Sequence, residues 1–172
     1  MTDDCDSRRS RPMRAAEPEE PEPDQRLSLE IVTESGDWPD EGALAALARQ
    51  IAGTVAQAIT LPHHACEATL ALSSDSNVQR LNRQYREQDK PTNVLSFPAA
   101  SHHVGPEGDN PGETTLMYLG DIIVARETLA REAEELGRPF TSHFAHLTTH
   151  GLLHLLGFDH ETDGDAECME RL

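Results

Sequence analysis

The stretch "RPFTSHFAHLTTHGLLHLLGFDH", Arg138 to His160, decides how the rest of the chain is arranged. Up to Leu156 it reads as a buried helix at the centre of a domain. Gly157 reads as the residue just past the helix end, where glycine readily takes the left-handed backbone that closes a helix and turns the chain back. That turn directs His160 towards the helix the chain has just left.

Working outward, "RETLAREAEELG" reads as a shorter helix, with Glu127 and Arg131 one turn apart and Gly137 as its stop. The run before it, "LMYLGDIIVA", is the most apolar strand candidate. Ala99 to Thr115 is crowded with Gly, Pro, Asn and His and reads as a long loop, which in a compact domain often carries function. In "PTNVLSFP" the β-formers Val94, Leu95 and Phe97 lie between Pro91 and Pro98, a pattern that permits an edge strand but not a central one. Asp75 is placed to cap a helix over Asn77 to Arg86 whose Val78, Leu81 and Tyr85 face inward. "CEATLAL" and "LSLEIVT" alternate as half-buried strands, the latter through Leu27, Leu29 and Ile31. Between them, "WPDEGALAALARQIAGTVAQAI" sets Leu44, Leu47, Ile51, Val55 and Ile59 at helical intervals behind Pro39 and an acidic start. After the Gly157 turn, "ETDGDAECMERL" opens one more short helix. The expectation is a single α+β domain over residues 27–172, with about four strands in a mixed sheet packed against four to five helices.

Residues 1–26 do not fit this domain. They hold almost no large apolar side chains, and a segment rich in Pro, Glu, Asp and Arg buries too little surface to offset the entropy of ordering it. We read them as a disordered acidic, Pro-rich tail. The "SRRSR" at Ser7 to Arg11 has no apolar stretch behind it and is not an export signal. Eight acidic residues among five arginines also disagree with an organellar leader. No run of about 18 apolar residues exists, so no membrane span is expected and the default compartment is the cytoplasm. Cys5, Cys66 and Cys168 form no C-x-x-C pair, which suggests neither a disulfide framework nor a cysteine metal site.

The net charge of −17 argues against a protein that coats nucleic acid, DNA included, through a broad basic surface. An RNA substrate needs a local basic patch instead. One candidate is "RLNRQYREQDK", whose Arg80, Arg83, Arg86 and Lys90 are four of the nine basic residues outside the tail.

The chemistry gathers in "HGLLHLLGFDH". His150 and His154 stand one helical turn apart and point the same way, so both imidazoles can reach one ion at about 2.0 to 2.1 Å. His160, returned by the Gly157 turn, completes three neutral ligands and leaves a fourth tetrahedral position open, the arrangement of catalytic rather than structural zinc. The spacing is that of the metzincin protease motif H-E-x-x-H-x-x-G-x-x-H, but Gly151 stands where the protease has its general base. A Glu at that place would lie near the reacting water, so the pattern keeps the metal and drops the peptidase. His146 is rotated by about 80° from His154 and reads as a core or surface residue, with a supporting role as the alternative. His143 is a weaker candidate of the same kind, and His63, His64, His102 and His103 read as loop histidines. Asp121 and Asp159 are either carboxylates orienting a ligating histidine or ordinary polar residues at a strand edge and a turn.

Taken in order, "YREQDKPTNVLSFP", "LGDIIVA" and "HGLLHLLGFDH" resemble the YbeY family of bacterial endoribonucleases, a likeness that runs from about Leu27 to Leu172. The resemblance implies a zincin-like fold with one Zn2+ per chain on the central helix, held by His150, His154 and His160. It implies cleavage of single-stranded RNA in ribosomal RNA maturation, including 16S rRNA 3′ end processing, and in ribosome quality control, with ribosomal RNA and ribosomal subunits as partners. It also puts the family's functional arginine at Arg86. The chain departs from the family pattern in its acidic tail and in ending within a terminal helix that members commonly extend. Electrostatics supports Arg86 separately, because a phosphodiester transition state concentrates negative charge and a fixed guanidinium answers it better than a second carboxylate. Two rivals remain: a non-catalytic, zinc-containing ribosome-assembly factor, and a metal-dependent hydrolase of another substrate.

Overall fold

The computed structural model describes residues 26–61, 65–99 and 116–158. Residues 1–25 of the expected tail, most of the expected loop, His63, His64, His102, His103, Asp159, His160, Cys5, Cys168 and the expected last helix lie outside the described residues. Arg26, at the boundary of the segment read as tail, is tied to the domain. Its guanidinium donates to Ala56 O at 2.7 Å, and its carbonyl accepts from Cys66 N at 2.7 Å.

The elements run β1 (Leu27–Thr33), α1 (Glu41–Ala58), β2 (Ala65–Ser73), α2 (Asp75–Arg86), β3 (Val94–Pro98), β4 (Leu116–Ala125), α3 (Arg126–Glu135) and α4 (Phe140–Leu155). The four strands form one sheet in the order β1-β2-β4-β3. The pairs β1/β2 and β2/β4 are parallel, whereas β3 runs antiparallel to β4. This is the mixed α+β architecture expected, with four helices among the described residues and the proline-bracketed strand on an edge.

The sheet is covered on both faces. Cys66, Ala68, Leu70 and Leu72 of β2 and Leu119, Ile122 and Val124 of β4 meet Leu44, Ala48 and Ala52 of α1 and Phe144, Leu147 and Leu152 of α4 in the larger core. On the opposite face Ala71, Leu95 and Ile123 pack with Val78 and Leu81 of α2. Buried Trp38, whose indole donates to Ser35 O at 3.1 Å, makes edge-on contacts with Phe140 and Phe144. Those rings fix the first turns of α4 against the α1 side, and α4 then reaches α1, α3, β3 and β4 along its length. The helix read as central therefore is central.

Two expectations about α2 are corrected. Asp75 lies inside the helix as its first residue and does not cap it. Its carboxylate instead accepts from Thr128 N at 2.9 Å and Thr128 Oγ1 at 3.0 Å at the start of α3, while Glu127 accepts from Asp75 N at 2.8 Å. Each helix thus caps the other. Arg131, expected beside Glu127, turns its guanidinium to Asp75 at 3.9 Å and Thr128 at 3.1 Å. Tyr85 does not join Val78 and Leu81 inside: it is 61% exposed and stands edge-on to the Phe97 ring.

Candidate metal centre

The C-terminal end of α4 closes as the sequence suggests. Gly157 has φ +87, Phe158 N donates to Leu153 O at 3.0 Å and Gly157 N donates to His154 O at 3.1 Å, the paired bonds of a Schellman motif. The positive φ is why glycine stands there. His160, the third expected ligand, lies outside the described residues, just beyond this turn.

His150 and His154 present their rings side by side on one wall of a cleft of ≈ 530 Å³. Their Nε2 atoms lie 3.0 Å apart, with the ring planes at 86°. Two nitrogens bound to one tetrahedral ion at about 2.0 to 2.1 Å would stand about 3.4 Å apart. The observed convergence is close to that spacing and is also short enough for one N–H shared between the rings. Both imidazoles open on the same cavity, so the pair fits a metal. Among the described residues no group of three or more His, Cys, Asp or Glu side chains is gathered for one ion.

The rest of the lining comes from elements distant in sequence. Arg86, the last residue of α2, lines the cleft together with Val94, Ser96 and Pro98 of β3, and Phe158 closes one end. The Arg86 guanidinium lies 3.5 Å from Ser96 O, too long to anchor it. Its side chain is exposed and able to turn to an anion in the cleft.

The start of β3 is held by a polar cluster around the buried His143, which sequence reasoning missed. Glu132 Oε2 accepts from Asn93 Nδ2 at 2.9 Å and lies 2.9 Å from His143 Nε2, which must carry the proton because the carboxylate only accepts. Asn93 Oδ1 in turn accepts from Val94 N at 2.7 Å, and Asn93 O accepts from Ala125 N at 2.9 Å. The start of β3 is thereby bolted to α3 and α4. A visible signal was His143, a polar residue on the buried face of an apolar helix.

Gly151 has a packing reason. A Cβ there would come within 2.7 Å of Ile122 Cγ2, so a side chain at this position drives into β4. The first atom of any side chain at 151 would thus meet the core before it met the cleft. Gly120 permits a similarly close approach on the other side of β4. Its φ is +129 beside a register shift in β4, and a Cβ would overlap Phe97 O. Asp121, considered as a partner of a ligating histidine, accepts from Tyr118 Oη at 2.6 Å, and Thr69 Oγ1 lies 2.9 Å from the same phenol. Burial, followed by the bond to Asp121, raises the Tyr118 pKa. His146 is exposed and stacks between His143 and His150 at 6.1 and 6.3 Å; desolvation, then the nearby His143 and Arg138, lowers its pKa.

The family model for Endoribonuclease YbeY matches residues 30–172. Curated proteins of that name include one from Sinorhizobium fredii, 47% identical over 152 residues, covering 85% of this chain and 84% of the relative. The Sinorhizobium medicae protein is 43% identical with 85% and 86% covered, and the Rhodopseudomonas palustris protein 42% identical with 84% and 73% covered. The solution structure of TM1509 from Thermotoga maritima superposes with a TM-score of 0.54 at 23% identity, covering 83% of this chain and 85% of that one, a likeness of fold.

Proposed function

The chain belongs to the YbeY endoribonuclease family, and from that premise we propose that it is a zinc-dependent endoribonuclease that cleaves single-stranded ribosomal RNA during 16S rRNA 3′ end processing and ribosome quality control. The observation that carries this reading is one cleft lined both by His150 and His154, whose Nε2 atoms converge, and by Arg86. In this reading the ion is held by His150, His154 and His160. When bound, zinc supplies Lewis-acid polarisation of a phosphate oxygen or a water.

The chain's own residues do the rest. Arg86 offers two parallel N–H donors to non-bridging phosphate oxygens and offsets charge that grows in the transition state. The loose Ser96 contact costs little to give up when substrate arrives. The Asn93, Glu132 and His143 cluster ties the start of β3 to α3 and α4, and with it the β3 part of the cleft lining. Preorganisation of this kind reduces what the site must rearrange as the reaction proceeds. A peptidase reading is disfavoured because position 151 supplies no carboxylate, and a Cβ there would press on Ile122.

The test is incubation of the purified, metal-analysed protein with a 16S rRNA precursor, with and without chelator. Discrete cleavage that stops on chelation and returns with zinc is expected. RNA binding and ribosome association without metal-dependent cleavage would favour the assembly-factor rival, and efficient peptide hydrolysis would overturn the reading. Replacing the 2′-OH at the cut position with hydrogen separates an attacking water, which tolerates the change, from attack by the ribose itself.

A further inference from the structure

Among the described residues, Tyr85 is a large ring that the fold leaves outside. It is 61% exposed, in a chain with only seven aromatic residues, while Trp38 and Phe144 are buried. It is not alone: the Phe97 ring stands edge-on to it, centroids 5.3 Å apart and planes at 67°. Phe97 rests on the smaller core behind it, so the exposed ring is backed by a supported one. Neither ring is part of the cleft lining; Phe97 is on the α2 side of β3, and both rings are next in sequence to residues that do line the cleft. Tyr85 precedes Arg86, and Phe97 lies between Ser96 and Pro98, all three of which line the cavity.

We propose that Tyr85, braced by Phe97, is a stacking platform for one nucleobase of a single-stranded RNA whose backbone crosses the β3 edge from the cleft, making it a specificity-determining residue. The proposal rests on the endoribonuclease reading above. Packing gives an outward ring little reason to be there, whereas a base offers it a flat π-face. Exposed cations are at hand: Arg80 and Arg83 lie on the same helix and Lys90 on the turn after it, with Arg83, its side chain 72% exposed, in a solvent-facing ion pair with Asp89 at 3.8 Å that a phosphate can compete for. A cationic track with an aromatic ring is how single strands are held without reading sequence. The arrangement also discriminates by structure, because a base paired in a duplex is already stacked and must be pulled out to reach Tyr85.

The test uses the full, zinc-loaded protein and a single-stranded RNA spanning the 3′ end of the 16S precursor, with a single abasic site walked through the nucleotides flanking the cut. For the wild type, one abasic position should raise KM about tenfold with kcat nearly unchanged, the scale of one lost base-aromatic stack. Tyr85→Leu should raise KM of the intact RNA by a similar factor and lose the sensitivity at that position, while keeping its melting temperature. Tyr85→Phe should restore both, since the ring and not the hydroxyl makes the stack. An unchanged KM in Tyr85→Leu, or an abasic profile identical to wild type, overturns the platform and leaves the endoribonuclease reading intact. A wild-type protein that cleaves no RNA removes that reading and the platform with it.

Discussion

Arg86 and Gly151 show how much one position can decide. Arg86 stands at an exposed helix end with one long contact to Ser96 O, so its removal should cost activity and not stability. Arg86→Ala is expected to lose about a hundredfold in cleavage rate, on the order of 3 kcal/mol of transition-state stabilisation, with zinc content and melting temperature unchanged. Arg86→Lys should recover only part, since it keeps the charge but not the planar fork. Near wild-type rates for both variants would remove Arg86 from the chemistry. Gly151 should behave in the opposite way: Gly151→Ala pushes a methyl group against Ile122 and should lower stability by about 1–3 kcal/mol in denaturant unfolding. The paired histidines were legible because helix periodicity alone brings residues four apart together. Glu132 was not, because its two partners come from positions 39 and 11 residues away, and such a pairing exists only once the helices are packed.

The elements themselves were largely readable from periodicity, the edge position of β3 from its prolines, and the end of α4 from Gly157. What failed were expectations that treated a helix as isolated. Asp75 has the composition of a cap for its own helix, yet its carboxylate serves α3, because the two N-termini meet and each supplies what the other lacks. Asp75→Ala should therefore destabilise the fold by about 1–2 kcal/mol. Asp75→Ala and Glu127→Ala should be non-additive in a double-mutant cycle, and simple additivity would show that the two caps act independently. Tyr85 continues the inward spacing of Leu81 yet is left 61% exposed, an outcome no periodicity reveals. At Gly157 an alanine must adopt φ near +87 or unwind the turn. Gly157→Ala is expected to cost about 1 kcal/mol and to weaken metal retention, read by equilibrium unfolding and by zinc content.

At the scale of the molecule, a net charge of −17 has to coexist with binding a polyanion. The few cations near the cleft limit how many phosphates can be engaged. With Arg80, Arg83, Arg86 and Lys90 as contacts, a plot of log affinity against log salt should have a slope no steeper than about −3 for single-stranded RNA. A much steeper slope would show a basic surface elsewhere in the chain. Among the described residues no helix is long and apolar enough to cross a membrane. The chemistry proposed for the cleft requires a metal centre, and metal stoichiometry is its most direct measure. Zinc per chain should be determined by elemental analysis on wild type, His154→Ala and Arg86→Ala, purified identically. The expected result is about one zinc in the wild type and in Arg86→Ala, and a large loss in His154→Ala, because two imidazoles hold the ion far more weakly than three. Full zinc retention by folded His154→Ala would contradict the assignment.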